Sequence, residues 1–128
     1  MPQYGMIVYC SAPADPMALS AEHLAALEAY PEQAKALKGK VLGGTYFAKL
    51  RGFAFDPSTS AMTVEGDTVR EGTLVESNLV ACAFYVVAAP SIEVAIQIAK
   101  LHPAAGEGGV EVHPVFKPAD LVQNDYDD

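Results

Sequence analysis

The spacing of apolar and polar positions in the first third of the chain predicts a strand followed by a helix. Residues 4–10 (YGMIVYC) form an apolar run rich in β-forming residues, which is typical of a strand. After a loop with two prolines, Ser20 is placed to cap a helix whose apolar residues recur at three- and four-residue intervals. Pro31 interrupts this stripe, so we expect it to kink the helix or divide it near Tyr30; Gly39 is the expected terminator.

The middle of the chain has the pattern of strands joined by tight turns. Residues 41–47 (VLGGTYF) predict a second strand, and the Gly-Gly pair within it suggests a bulge. Residues 61–70 place a Glu-Gly-Asp turn between two β-branched arms, which predicts a hairpin. Residues 82–88 (CAFYVVA) carry the strongest strand pattern in the chain.

The last third predicts a second helix and a final strand. Ser91 opens a segment whose apolar residues follow an i, i+3, i+4, i+7 stripe, and Pro103 ends it. Residues 110–116 (VEVHPVF) then alternate between apolar and polar, as a half-buried strand does. Because Pro114 lacks a backbone donor, this strand is expected at an edge or an end of the sheet.

The resulting order, β-α-β, hairpin, β-α-β, predicts an α+β fold of the ferredoxin-like split βαβ sandwich type with an extra β-hairpin. In such a fold the first strand and residues 82–88 are antiparallel neighbours, which would bring Cys10 near Cys82. Helices cover one sheet face. A second copy of the chain is the simplest cover for the other apolar face, so we expect a homodimer, a dimeric α+β barrel with twofold symmetry.

Composition narrows the possible partners and the compartment. The 128 residues fit one domain, which we place at residues 1–117, followed by an acidic C-terminal tail at residues 118–128. The net charge of −8 disfavours nucleic acids and anionic membranes as partners. Since no apolar run approaches the ~18 residues of a membrane span and the N-terminus lacks a basic leader pattern, we expect a cytoplasmic protein with reduced thiols.

Three residues are candidates for acid–base catalysis. His23 falls in the first turn of the first predicted helix, and an imidazole there is suited to proton transfer near neutral pH. Glu71 and Glu76 flank a short Gly-containing segment, so both carboxylates can face one pocket and orient a histidine or bind a cationic or hydroxylated ligand. The simpler alternative for all three is a solvated loop or helix-end position.

Four further residues are candidates for ligand binding. Tyr9, Tyr46 and Tyr85 offer hydroxyl groups to a cleft, although core packing explains an aromatic strand residue equally well. His102 ends the second predicted helix, where favourable interaction with the helix dipole is the alternative. We predict no metal site, because no histidine or cysteine has metal-motif spacing, and no cofactor, because no Gly-rich loop opens a helix.

Residues 71–77 (EGTLVES) resemble the signature of the YCII-related family, in particular its DGPF-type subgroup. That signature is Asp-Gly-Pro-Phe followed by a small residue, Glu and Thr or Ser; here Gly72, Glu76 and Ser77 match, whereas Thr73 stands at the Pro position. Residues 84–116 resemble the family's closing strand–helix–strand throughout, and LSAEHLAAL resembles its first helix start.

The resemblance implies a ferredoxin-like fold assembled as a dimeric barrel with a cleft in each subunit. It also implies a catalytic dyad of a His near the first helix and an Asp after the second helix. The first of these maps to His23, and the second falls at His102, where this chain has His in place of Asp. Genes of the DGPF subgroup often lie beside those of extracytoplasmic-function sigma factors, which implies a regulatory context.

Three functions remain open at this point. The first is a small cytoplasmic enzyme that uses His and carboxylate acid–base chemistry on a small metabolite. The second is a non-catalytic ligand-binding or regulatory dimer associated with transcription control. The third is a cofactor-free oxygenase of the dimeric-barrel type. Because one fold carries many functions, only the geometry of the site can separate them.

Overall fold

The computed structural model describes residues 1–11, 20–43, 53–54, 61–75, 77–106 and 108–116. These residues form an α+β structure with antiparallel sheets. Its elements are, in chain order, β1 (Gln3–Ser11), α1 (Ala21–Ala36), β2 (Lys40–Gly43), β3 (Phe53–Ala54), β4 (Met62–Glu65), β5 (Thr68–Glu71), β6 (Leu79–Ala88), α2 (Ile92–Lys100) and β7 (Gly109–Pro114). Tyr46, Glu76 and the predicted tail lie outside the described residues.

The main sheet has the strand order β2-β6-β1-β7, and β3 also pairs with β6. This order is compatible with a ferredoxin-like fold, and the predicted antiparallel pairing of β1 with β6 is confirmed. Cys10 pairs with Val80, two residues from Cys82, and both cysteines are free thiols. The register of β2 against β6 shifts between Val41 and Gly43, which is the irregularity that the Gly-Gly pair predicted.

The period of two along β1 separates the two faces of this sheet. Met6 and Val8 are fully buried and pair with Tyr85 and Ala83 of β6. Tyr85 contacts Tyr30 of α1, so this is the face that the helices cover. The core lies between this face and the buried sides of α1 and α2. Alternate residues of β1, β6 and β7 therefore point to the opposite face.

Helix α1 begins at the predicted residue and ends one residue earlier than predicted. Ser20 caps it by accepting a hydrogen bond from the backbone N–H of His23. Of the two outcomes expected at Pro31, a kink or a division, the division is wrong, because the helix continues through Pro31 to Ala36. Packing of the buried stripe of Leu27, Tyr30 and Ala34 offsets the one backbone hydrogen bond that a proline removes.

The residue with positive φ after α1 is Lys38 rather than Gly39. The backbone N–H groups of Lys38 and Gly39 donate to the carbonyls of Lys35 and Ala34, respectively, which is the Schellman pattern of a helix C-terminus. Gly39 thus lies one position beyond the C′ position that was predicted for it. Gly39 is required by packing instead: a Cβ there would lie 2.4 Å from Cδ1 of Ile98 on α2. The glycine thus allows α2 to approach the end of α1.

The predicted hairpin is confirmed as β4 and β5, joined by the turn Gly66-Asp67. It forms its own two-stranded sheet. The final strand β7 lies at the edge of the main sheet and ends at Pro114, as the missing proline donor predicted. Within the described residues, neither helix has the length and apolar character needed to cross a membrane.

Candidate functional site

The face of the sheet that the helices cover carries three rings in mutual edge contact. Tyr30, Tyr85 and His102, here called the helix-face cluster, have ring centroids 5.1–5.4 Å apart and interplanar angles of 68–83°. Each ring is at most 3% exposed. The Tyr30 hydroxyl donates to the carbonyl of Ile98 at 2.8 Å, which ties α1 to α2.

The hydrogen bonds of His102 define its tautomer. Its Nδ1 accepts from the backbone N–H of Ala104 at 3.1 Å, so the proton of the neutral ring lies on Nε2. Nε2 is 3.0 Å from the Tyr85 hydroxyl oxygen and donates to it. Both ring nitrogens therefore have partners, and the ring is held neutral between a strand and the turn after α2.

Burial makes this cluster resist ionisation. It lowers the pKa of His102 from 6.5 to about 4, and the neighbouring His23 adds to this effect because two imidazolium charges repel. Burial likewise raises the pKa of the Tyr30 hydroxyl, with a smaller contribution from Tyr85. The cluster consequently consists of neutral hydrogen-bonding rings over the whole physiological pH range.

A second polar group lies on the opposite face of the sheet, close to solvent. The Tyr9 hydroxyl on β1 donates to Oε1 of Glu111 on β7 at 2.9 Å, and Nε2 of His113 lies 3.2 Å from the same oxygen. We call Tyr9, Glu111 and His113 the groove network. Glu111 pairs with Ile7 and His113 with Gly5, both residues of the face away from the helices.

The hydrogen bonds of the groove network shift two of its pKa values in opposite directions. The bonds from His113 and then from Tyr9 hold the pKa of Glu111 below its ordinary value, outweighing slight desolvation. Partial burial raises the pKa of Tyr9, and the hydrogen bond and charge of Glu111 raise it further. The network thus favours an ionised carboxylate that accepts hydrogen bonds from Tyr9 and His113.

Tyr9 and Glu111 of this network line a groove of about 920 Å³, at the upper end of the ~300–1,000 Å³ range of small-molecule sites. Gly108 keeps β7 close to β1 here, because a Cβ at that position would lie 2.0 Å from the Tyr9 carbonyl oxygen. Apolar side chains predominate among the described lining residues, which are Tyr9, Ala61, Thr63, Thr73, Leu74, Val75, Ser77, Leu79, Val80, Ala81, Gly109, Val110 and Glu111.

The hairpin and the segment after it form one wall of the groove. Thr63 donates to the carbonyl of Gly72 at 2.6 Å, and Arg70 donates to the carbonyl of Leu74 at 2.9 Å. Arg70 is itself held by Glu65 at 3.0 Å. These bonds fix residues 72–75 against the hairpin, so the segment that drew attention in the sequence borders the groove.

The structure distributes the predicted catalytic residues rather than assembling them. His23 lies in the first turn of α1, beside His102 on the helix side of the sheet. Glu71 ends β5 and is exposed, on the hairpin whose Ala61 and Thr63 border the groove. Glu76 lies outside the described residues. Catalytic roles for these three residues stay predictions.

The predicted binding residues fall into two places. Tyr9 lines the groove, whereas Tyr85 and His102 join each other in the buried helix-face cluster. Tyr46 lies outside the described residues. Within the part of the chain that the structure describes, no three His, Cys, Asp or Glu residues are grouped closely enough to hold a metal ion.

Sequence reasoning did not select Glu111, the residue at the centre of the groove network. The alternation along residues 110–116 already placed Glu111 and His113 on the face opposite Val112. What it lacked was the partner strand, because only the register of β7 against β1 brings Tyr9 beside them.

No known family model and no curated protein matches the chain.

Proposed function

We propose that the protein is a ligand-binding domain that takes up a small organic molecule in the groove. One observation carries this proposal: among its described lining residues, a large and mainly apolar groove contains a charged side chain, Glu111, that is hydrogen-bonded to Tyr9. Small-molecule sites have this composition, in which apolar walls supply affinity and a few polar groups fix orientation. The hydroxyl groups of Thr63, Thr73 and Ser77 add neutral polar contacts along the same groove.

We further propose a YCII-related domain that assembles in the cytoplasm as a homodimeric α+β barrel. Three features support the family: the strand order, residues 73–75 and Ser77 along the groove, and His23 beside His102. The position of the groove on the sheet face away from the helices supports the barrel, because a second copy would close that face. Light scattering at micromolar concentration should give twice the monomer mass of 13.5 kDa; a monomer would contradict the assembly.

Burial of His102 argues against the catalytic alternative at the helix-face cluster. Its ring is 2% exposed, and both its nitrogens are engaged by the protein. A group that reacts with substrate must reach it, so this histidine serves as a neutral donor to Tyr85. At the place where the family resemblance implies an acid, this chain has His102.

Acid–base catalysis in the groove is a second candidate, favoured by the chain of hydrogen bonds through Tyr9, Glu111 and His113. A carboxylate between a phenol and an imidazole is suited to moving a proton to or from a bound molecule. Deuterium exchange into a bound ligand, followed by NMR, would reveal such transfer. His113→Asn should abolish the exchange, and an unchanged rate would remove this candidate.

The binding proposal is tested by blocking the groove. Ala81 lines its floor, and Ala81→Trp should fill it, whereas Ile96→Trp adds the same ring on the outer side of α2. Ligand-observed NMR against a small-molecule library should find binders of the native protein. We expect these binders to lose affinity for Ala81→Trp and to keep it for Ile96→Trp. Equal binding by both variants would contradict the proposal.

A further inference from the structure

We propose that the ligand of this groove is an organic cation, a protonated amine attached to an apolar body, and that its ammonium group binds Oε2 of Glu111. This inference rests on the proposed ligand-binding function and specifies the chemical class of the ligand. It follows from the hydrogen-bond pattern of the groove network, from the charge of the groove and from the apolar wall that faces the network.

The groove network leaves an acceptor without a donor. Among the described residues, Tyr9 and His113 both donate to Oε1 of Glu111, and Oε2 receives no hydrogen bond. The two donors hold the carboxylate in one orientation, since they approach the same oxygen from different strands. A carboxylate has about four lone-pair sites, so the free oxygen has capacity for a ligand that donates.

The charge of the groove favours a cation over a neutral donor. Glu111 is the charged residue among the described residues that line it, and hydrogen bonds from His113 and Tyr9 keep its carboxylate ionised. A neutral donor would leave the carboxylate charge uncompensated, and an anion would be repelled. The net charge of −8 over the chain acts in the same direction by attracting cations to the surface.

The wall facing the network requires an apolar body on the ligand. Leu74 and Val75 border the groove yet are 65% and 76% exposed, so a bound molecule would remove apolar surface from water. Leu79 continues this surface on β6. An inorganic cation would gain nothing from these side chains, whereas an aryl- or alkylamine would contact them and the carboxylate together.

Three probes of one shape test the inference: 2-naphthylmethylamine, 2-naphthylmethanol and 2-naphthoate. Affinities are measured by calorimetry, and the site is located by NMR shifts of Ala81 and Gly109. We expect the amine to bind at least about tenfold more tightly than the alcohol, as a charged hydrogen bond provides. Glu111→Gln should remove this preference and leave the alcohol unaffected. Glu93→Gln makes the same charge change at an exposed position of α2, and this variant should retain the preference.

The outcomes separate this inference from the function on which it rests. Equal binding of all three probes in the groove, or a preference for the carboxylate, would overturn the cation while leaving the ligand-binding function intact. An amine preference that survives Glu111→Gln would overturn the role of Glu111. Absence of groove shifts with every probe would count against both the inference and the proposed function.

Discussion

The two faces of the sheet use the same residue types, tyrosine and histidine, in different roles. The helix-face cluster and the groove network each contain a histidine and at least one hydrogen-bonded tyrosine hydroxyl group. In the first, the rings are fully buried, neutral and satisfied by the protein itself. In the second, the groups are partly open to solvent and surround an ionised carboxylate with one free oxygen. Burial, rather than residue type, separates a stabilising role from a binding role.

Removing a whole ring should produce the largest difference between the two faces. Tyr30→Ala leaves a cavity in the core and breaks the link to the Ile98 carbonyl, so we expect a loss of about 3–5 kcal/mol in the free energy of unfolding. Tyr9→Ala should cost about 1 kcal/mol or less, because its ring is only half-buried. Urea unfolding of both variants measures the difference. Equal losses would contradict the assignment of the stabilising role to the helix face.

The pH dependence of stability should come next in size. His102 has a pKa of about 4 when folded and 6.5 ordinarily, so the unfolded chain binds the proton more strongly between these values. Stability should therefore fall as the pH drops from 6.5 to 4, by about 3 kcal/mol from this residue.

His102→Asn tests this assignment, because an amide keeps an acceptor for Ala104 but does not titrate. The variant should show a flatter profile of unfolding free energy between pH 6.5 and 4. Gln97→Asn, which changes an exposed side chain of α2 that does not titrate, should keep the native slope in that window. The assignment is wrong if the two variants show the same profile.

Removing only a hydroxyl group gives a smaller and more selective comparison. Tyr30→Phe removes the side-chain donor to the buried Ile98 carbonyl, which keeps the backbone N–H of Leu101 as a donor, and should cost about 1 kcal/mol. Tyr9→Phe removes one of two donors from a carboxylate that water can reach, and should cost about 0.5 kcal/mol or less. Thermal unfolding of the two variants side by side is sufficient, and a larger loss for Tyr9→Phe would reverse the comparison.

The smallest expected change in stability belongs to Glu111→Gln. Its carboxylate is exposed and hydrogen-bonded only at the surface, so the unfolding free energy should change by no more than about 0.5 kcal/mol. Calorimetric unfolding measures this. A large loss of stability would show that Glu111 holds the fold together, and its effect on ligands could then not be attributed to binding.

The parts of the fold that follow local rules were predictable from the sequence. The elements and their order followed from three local signals. These are the spacing of apolar residues at intervals of two in strands and three or four in helices, the Ser20 and Ser91 caps, and the Gly66-Asp67 turn. Local rules failed at Pro31 and Gly39, where packing against the core overrides helix-breaking and capping preferences. Both failures have the same cause, which is a tertiary contact absent from the local pattern.

The candidate site was less predictable than the fold because it depends on register. Tyr9 and Glu111 are 102 positions apart, and alternation gives only the face on which each lies. Among the described residues that the sequence selected, Tyr9 lies at the groove, whereas Tyr85 and His102 lie on the helix face, since exposure cannot be read from residue type. The sequence directed attention to Glu71 and Glu76, whereas the described residues of this segment that line the groove are Thr73, Leu74, Val75 and Ser77.

A titration of the ¹⁵N-labelled protein with 2-naphthylmethylamine tests most directly whether the two faces have separate roles. We predict shifts of the amide signals of Tyr9, Ala81 and Gly109, which lie at the groove, and unchanged signals for Tyr30 and Ala104 beside the helix-face cluster. Shifts centred on the helix-face cluster with a silent groove would contradict the account, because the buried rings would then be the binding site.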